Sequence, residues 1–266
     1  MSSPAVSTAP PLMSRRRLLA WLVLGLLAAG AAYVLIAHVI EWPDWAEPVA
    51  RYVLTVGLRA TLQVSAAAVV GATVIGIVLG TLLTIDWVPS RMLIRGYIEI
   101  FRGLPILVTV FIVYFGLPAL TLTLKFGPLT ATAIALILWG SAQVAEATRG
   151  AVQSIPREQH EAASALGFGW VGRHRSVILP QALRRLLPPL VGLIVNIIQN
   201  STLAAAIGGI ELLQAAKSQS ERLTFFPPAG IGEIHAFEIF AGLMVLFFLI
   251  SFPLTRLAAM LEKRLV

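Results

Sequence analysis

The chain has 266 residues, of which 58% are hydrophobic and only 12% charged, with a mean hydropathy of +0.85. Soluble domains carry about 25% charged residues, so the composition excludes a water-soluble globular protein and points to a single bundle of membrane helices. Cysteine is absent, which excludes disulfides, thiolate metal sites and thiol catalysis.

Residues 1–17, rich in Ser, Pro and Ala and ending in Arg15-Arg16-Arg17, read as a disordered N-terminal tail. Uncharged runs of about 17–25 residues mark membrane spans, and the first is Leu18–Ile40. It exceeds the apolar core of about 7–15 residues in a signal peptide and lacks a small-residue cleavage site before Glu41, so a retained helix over 18–40 is expected. Trp42 and Trp45 follow it, where amphipathic rings favour the headgroup zone. Five further spans are expected at Leu62–Ile85, Gly103–Leu124, Phe126–Ala145, Leu186–Ile210 and Ile239–Thr255. The third and fourth meet at Lys125, with Gly127-Pro128 forming a tight turn. The fold class is therefore all-α, a polytopic membrane protein.

The net charge of +7 finds its explanation in placement rather than in nucleic-acid binding. With the N-terminus inside, fifteen of the twenty Lys and Arg fall on cytoplasmic segments, and only Arg51, Arg59, Lys125, Lys217 and Arg222 fall outside. Positive residues collect on the inner side of a membrane, so both termini are expected in the cytoplasm. Two non-membrane segments remain, an inner loop over 149–185 and an outer segment from Glu211 to Glu238, where Phe225-Phe226-Pro227-Pro228-Ala229-Gly230 cannot continue a helix.

The inner loop is legible residue by residue. Pro156 suits a first helical turn, and Arg157–Leu166 is rich in Ala and Glu, which favour helix. Gly167 supplies the positive φ that ends it, and Pro180 is expected to mark a second break before re-entry into the membrane. Ala162, Ala163 and Ala165 leave a small-residue surface with Glu161 and Arg157 at its rim. From the residues alone this is either a docking surface for a partner or a helix lying on the inner leaflet. Glu158 and Glu161 weigh against the leaflet, whose helices favour basic polar faces.

Polar side chains inside a bilayer face a cavity or a partner helix. The candidates are Gln143 and Glu146 near the inner end of the fourth span, and Asn196, Gln199 and Asn200, which share one face of the fifth. The stripe of three reads equally as a lining of a pathway or as hydrogen bonding between helices. Glu146 reads more naturally as an ion pair with Arg149 or another arginine. His38 reads as interfacial, and His160, His174 and His235 have no metal-ligand spacing. Gly71, Gly76 and Gly80 read as close-packing positions between helices.

The spacing Glu161-Ala162-Ala163-x3-Gly167-x9-Val177-x-Leu179-Pro180 resembles the EAA loop of the membrane-spanning subunits of bacterial ABC importers. Further stretches are similar to the branch that carries polar amino acids, of the histidine/glutamine type: Glu99-Ile100-Phe101-Arg102-Gly103-Leu104-Pro105, Tyr114-Phe115-Gly116-Leu117-Pro118, Gln153-Ser154-Ile155-Pro156 and Leu179-Pro180-Gln181-Ala182-Leu183-Arg184. The resemblance implies a permease domain over 55–266, a five-helix core with one extra N-terminal helix in front of it. It implies that Glu161, Ala162, Ala163, Gly167, Leu179 and Pro180 form the seat of a cytoplasmic ATPase dimer that holds ATP-Mg. It also implies a second permease copy or homologous permease, an extracytoplasmic amino-acid-binding protein, an amino acid substrate, and a multi-pass location in the bacterial inner membrane. The chain departs from that branch at Gln199-Asn200, where a Lys-Asp pair is common, and in a longer outer segment around Phe225–Gly232.

No phosphate loop G-x-x-x-x-G-K-[ST], no H-E-x-x-H and no G-x-S-x-G occurs, so an enzyme and an ATP site on this chain are not expected. No cofactor or metal is expected on it either. The alternative is an ion-gradient-driven secondary transporter or channel, but internal repeats and interrupted ion-binding helices of such proteins are not visible.

Overall fold

In the computed structural model the described residues are 43–84, 88–121, 124–226 and 234–265. The chain divides at Pro48–Val49 into two units, and of the first only residues 43–48 are described. The tail over 1–17 and the extra helix over 18–40, with His38, lie outside the described residues. Among the described residues the fold is all-α with no strand.

Among the described residues eight helices follow one another: α1 (Ala46–Leu82), α2 (Val88–Gly103), α3 (Ile106–Leu120), α4 (Pro128–Gln153), α5 (Arg157–Ala165), α6 (Trp170–Ile207), α7 (Leu212–Phe225) and α8 (Ala236–Leu265). Of these α1, α4, α6 and α8 are long and apolar enough to cross a membrane, and the bent pair α2–α3 makes a fifth span if counted as one.

The second expected span, Leu62–Ile85, belongs to a helix that starts earlier. Nothing between Ala46 and Leu82 breaks a helix: Gly57 falls in a π-helical stretch, Val53–Leu58, and the axis continues through it. At about 1.5 Å per residue such a helix exceeds the ~30 Å hydrocarbon core, so its ends project. Arg51 and Arg59 ride on it rather than on an outer loop.

The third expected span, Gly103–Leu124, needs correction. Gly103 is the last residue of α2, and the chain turns by 106° before α3. Pro105 is the cause. It has no N–H to donate, its ring disfavours helical backbone at Leu104, and its own ψ of 130° lies outside the helical region. The apolar piece is thus the short α3, and α2 is an amphipathic helix in its own right. Ile94, Tyr97, Ile98 and Phe101 pack on Leu83, Ala142 and Ala145, while Met92, Leu93 and Ile100 stay exposed. Tyr97 donates to the Leu138 carbonyl at 3.0 Å and pairs with the Ser141 hydroxyl at 2.6 Å.

The centre of the bundle is α4 against α1. Their backbones approach through small residues: a Cβ on Gly76 would meet Val144 Cγ1 at 2.7 Å, and one on Gly80 would meet Thr148 Cβ at 2.6 Å. Around this seam Ala68, Ala72, Leu136 and Ile197 are almost fully buried. The fourth span runs on past its expected end at Ala145 to Gln153, so residues 149–153 belong to α4 and not to the inner loop.

The break expected at Pro180 does not occur. His174–Ile178 is a π-helical turn, and Leu179 onward is α-helical with Pro180 at its start. The wider turn just before the ring accommodates the lost N–H, so α6 runs unbroken from the inner loop through Pro188 and Pro189 to a 3₁₀ turn at Ser201–Ile207. Beyond it α7 is capped by Glu211, whose carboxylate accepts from the Leu213 and Gln214 amides at 2.8 and 2.9 Å. It is seated against α1 where Gly57 leaves no room for a Cβ, 2.8 Å from Ala215 Cβ.

Candidate coupling loop and transport pathway

α5 is short because its end is built in. Gly167 has φ +84°, its amide donates to the Ser164 carbonyl at 2.9 Å, and the Phe168 amide donates to the Ala163 carbonyl at 3.1 Å. Those two bonds make a Schellman cap, which needs a left-handed residue at the glycine position. The cap fixes which way α5 faces. Ala163 is buried against the protein, while Glu161, Ala162, Ala165 and Leu166 face outward. Leu179 is half-buried and Pro180 exposed on the π turn and helix that follow.

The surface so presented is small in its side chains and apolar at its edge. Leu166 is 77% exposed, and Phe168 and Val171 are exposed beside it. Sequence reasoning passed over these three, although apolar residues in a charged, water-facing loop were the available signal. Glu161 and Arg157 pair at 3.6 Å with both side chains open to water, which adds little stability. Internal ties are firmer: Arg173 Nη1 donates to Ser164 Oγ at 2.9 Å, and Arg185 Nη1 donates to the Ser154 carbonyl at 2.6 Å, fastening α6 to the end of α4. Burial, aided by the neighbouring Arg173 guanidinium, holds the His160 imidazole below its ordinary pKa.

In the bundle, the structure brings Gln143 and Asn196 together. Both line a groove of about 370 Å³ between α4 and α6, with Trp139, Pro189 and Leu193. Arg102 of α2 reaches it, donating from Nε to Gln143 Oε1 at 3.2 Å. Arg102 was legible as part of the Phe101-Arg102-Gly103 stretch but not as a partner of Gln143. Gln199 and Asn200 lie further along α6, outside that groove's lining. Asn196 and Gln199 are exposed and Asn200 half-buried, with Asn200 Nδ2 donating to its own helix at the Asn196 carbonyl, 2.8 Å. Ile197 and Ile198 turn inward. Glu146 does not share the Gln143 groove. It forms an ion pair with Arg149 at the mouth of a second groove of about 280 Å³, with Arg95, Glu99 and Arg102. Among the described residues no cluster of three His, Asp or Glu could hold a metal ion.

Comparison with known proteins places this architecture. Residues 72–266 match the family described as binding-protein-dependent transport system inner membrane component. The glutamine transport system permease protein GlnP of Escherichia coli is 34% identical over 210 residues, 79% of this chain and 91% of that protein. A probable glutamine ABC transporter permease of Bacillus subtilis is 30% identical over 209 residues, 79% of this chain and 91% of the relative. Among solved structures, an amino acid ABC transporter crystallised with histidines superimposes with a TM-score of 0.70 at 25% identity, covering 84% of this chain and all of the other. The inward-facing MetNI methionine ABC transporter shares the fold, with a TM-score of 0.61 at 19% identity over 81% of this chain and 99% of the other. The chain therefore belongs to the binding-protein-dependent transport system inner membrane component family, the membrane-spanning permease subunits of ABC importers, whose members are transport subunits and not enzymes.

Proposed function

We propose that this permease carries a polar amino acid across the bacterial inner membrane, and that the inner segment from Ser154 to Arg185 transmits the work of a separate ATPase dimer holding ATP-Mg. The observation that carries the reading is the α5 cap. Gly167 ends the helix so that Ala162 and Ala165 lie exposed between Glu161 and Leu166, short side chains on which another protein can pack closely. Ala163 supports that surface from within, and Leu179 and Pro180 lie further along, within α6. Movement of the loop is then delivered directly to the helix that carries Asn196, Gln199 and Asn200.

The amino acid substrate is supported by the glutamine permeases among the relatives. In this reading both termini are cytoplasmic, and a five-helix core follows an extra N-terminal helix. A second permease, identical or homologous, completes the pathway against the exposed face of α6. An extracytoplasmic binding protein delivers the amino acid on the side of α7. The groove shared by Gln143 and Asn196 has polar amides on apolar walls, which suits a small zwitterion passing through.

Cross-linking tests the reading. A single cysteine at Glu161, in a chain that otherwise has none, should link to a co-purified nucleotide-binding subunit identified by mass spectrometry. A cysteine at Gln214 on α7 should not. Equal linkage at both positions, or none at Glu161 in an ATP-driven complex, contradicts the coupling assignment.

A further inference from the structure

Between the coupling loop and α1, besides the packing of Ile77 on the cluster of Ile155 and Ile178, one hydrogen bond is made by a histidine that the family signature does not include. His174 is 3% exposed, in the π-helical turn near the start of α6. Its Nδ1 lies 2.9 Å from the Trp170 carbonyl oxygen. A carbonyl only accepts, so Nδ1 carries a proton. Nε2 lies 3.0 Å from Thr84 Oγ1, on the residue two beyond the end of α1 and 90 positions away in sequence. In the neutral ring Nε2 accepts from the Thr84 hydroxyl. That hydroxyl has one competing acceptor, the Thr81 carbonyl at 2.6 Å. Trp170 stacks on the other face of the ring, with centroids 4.1 Å apart and planes at 27°.

We propose that His174 is a positioning residue, a latch that makes α1 follow the coupling loop; this rests on the coupling reading above. The connection is continuous. Ser164, on α5, accepts from Arg173; Arg173 precedes His174; His174 holds Thr84. Thr84 and Leu83 close the last turn of α1, and Leu83 is packed with Ile98, Ala142 and Ala145. Since α1 lies in backbone contact with α4 at Gly76 and Gly80, a shift at Thr84 has little slack to be lost in. The loop therefore moves two walls of the bundle, α6 by covalent continuity and α1 by this latch. A buried imidazole stacked on Trp170 and tied at Nδ1 is better suited to that than a flexible polar side chain, because its ring cannot turn away from Thr84 without losing the Trp170 carbonyl.

The test uses the assembled transporter in vesicles, with ATP hydrolysed per amino acid imported as the readout. Thr84→Val is near-isosteric and removes the hydroxyl. His174→Phe keeps a ring against Trp170 and removes both nitrogens. Thr84→Val should raise the ATP consumed per amino acid ~5-fold, the effect of losing one hydrogen bond of ordinary net strength, and His174→Phe, which also loses the Trp170 carbonyl, by at least as much. The ATPase should still co-purify, and the double variant should be no worse than His174→Phe alone, because the two changes break the same contact. An unchanged ratio in Thr84→Val overturns the latch. So does a double variant in which the two effects multiply to about 25-fold or more, which marks independent sites. So does a parallel fall in import and hydrolysis at a normal ratio, which marks a purely structural role. Failure of the coupling reading has its own result, full capture of the ATPase by a permease whose loop is broken at Gly167, so the two failures are separable.

Discussion

Gly76 of α1 and Ser141 of α4 meet backbone to backbone: a Cβ on Gly76 would stand 2.7 Å from the Ser141 carbonyl oxygen. No rotamer change can relieve a clash with a carbonyl, so the helices themselves must part. Gly76→Ala is expected to destabilise the protein by ~1–3 kcal/mol, the range for overpacking a tight interior. Gly96 of α2 has open space where its Cβ would go, so Gly96→Ala is the control. Thermal unfolding in detergent should show a lowered midpoint for the first and none for the second.

Gly167 is under a different constraint. At φ +84° a β-branched residue is strained by about 1–2 kcal/mol, and Asn tolerates the same backbone best among the alternatives. Gly167→Val should abolish ATPase capture and uptake while leaving membrane insertion intact, and Gly167→Asn should restore most of both. Pull-down of the nucleotide-binding subunit, read beside vesicle uptake, checks the pair.

His160 gives the loop a pH dependence of defined sign. Its pKa lies below the ordinary histidine value in the folded loop, lowered by burial first and by Arg173 second. The folded loop therefore binds fewer protons than the unfolded loop just below that value. Stability from this group is complete above the ordinary histidine pKa and is lost as pH falls through the folded one. Amide protection factors in 157–166, taken relative to the intrinsic exchange rate at each pH, should fall on acidification from pH 7.5 to about 6 in the wild type, and His160→Gln should flatten the dependence.

Gln199 tests the exposed face of α6. Gln199→Lys places a cation on that face, in a setting where charge interactions exceed those in water several-fold. Competition uptake should show a changed ratio among acidic, neutral and basic amino acids, with the binding protein's own preference fixed. A uniform fall across all three would return Asn196, Gln199 and Asn200 to helix packing.

What was legible in the sequence followed local rules. Uncharged runs located α1, α4, α6 and α8, and the Glu161–Gly167 spacing located the capped helix, because a Gly after an Ala-rich stretch has one common use. What was not legible depended on competition between neighbours. Pro105 breaks its helix and Pro180 does not, because a π turn precedes only the second. The rule that proline ends helices cannot separate them. Gln143 and Asn196 were each visible as costly polar residues, but their meeting in one groove, and the exclusion of Glu146 from it, is a matter of how α4 crosses α6. His174 was read only for metal spacing. Its partner is Thr84, on another helix, and no periodicity reports such a pair.

The most direct measurement is the energy source of transport. Vesicles holding the permease with its co-purified ATPase, and the binding protein outside, are loaded with ATP, with ADP, or with neither while an ion gradient is imposed. Uptake of amino acid only in the ATP-loaded vesicles, and its loss with Gly167→Val, is the expected result. Uptake driven by the ion gradient in the absence of ATP and of the ATPase would contradict it, and would make this chain a secondary transporter.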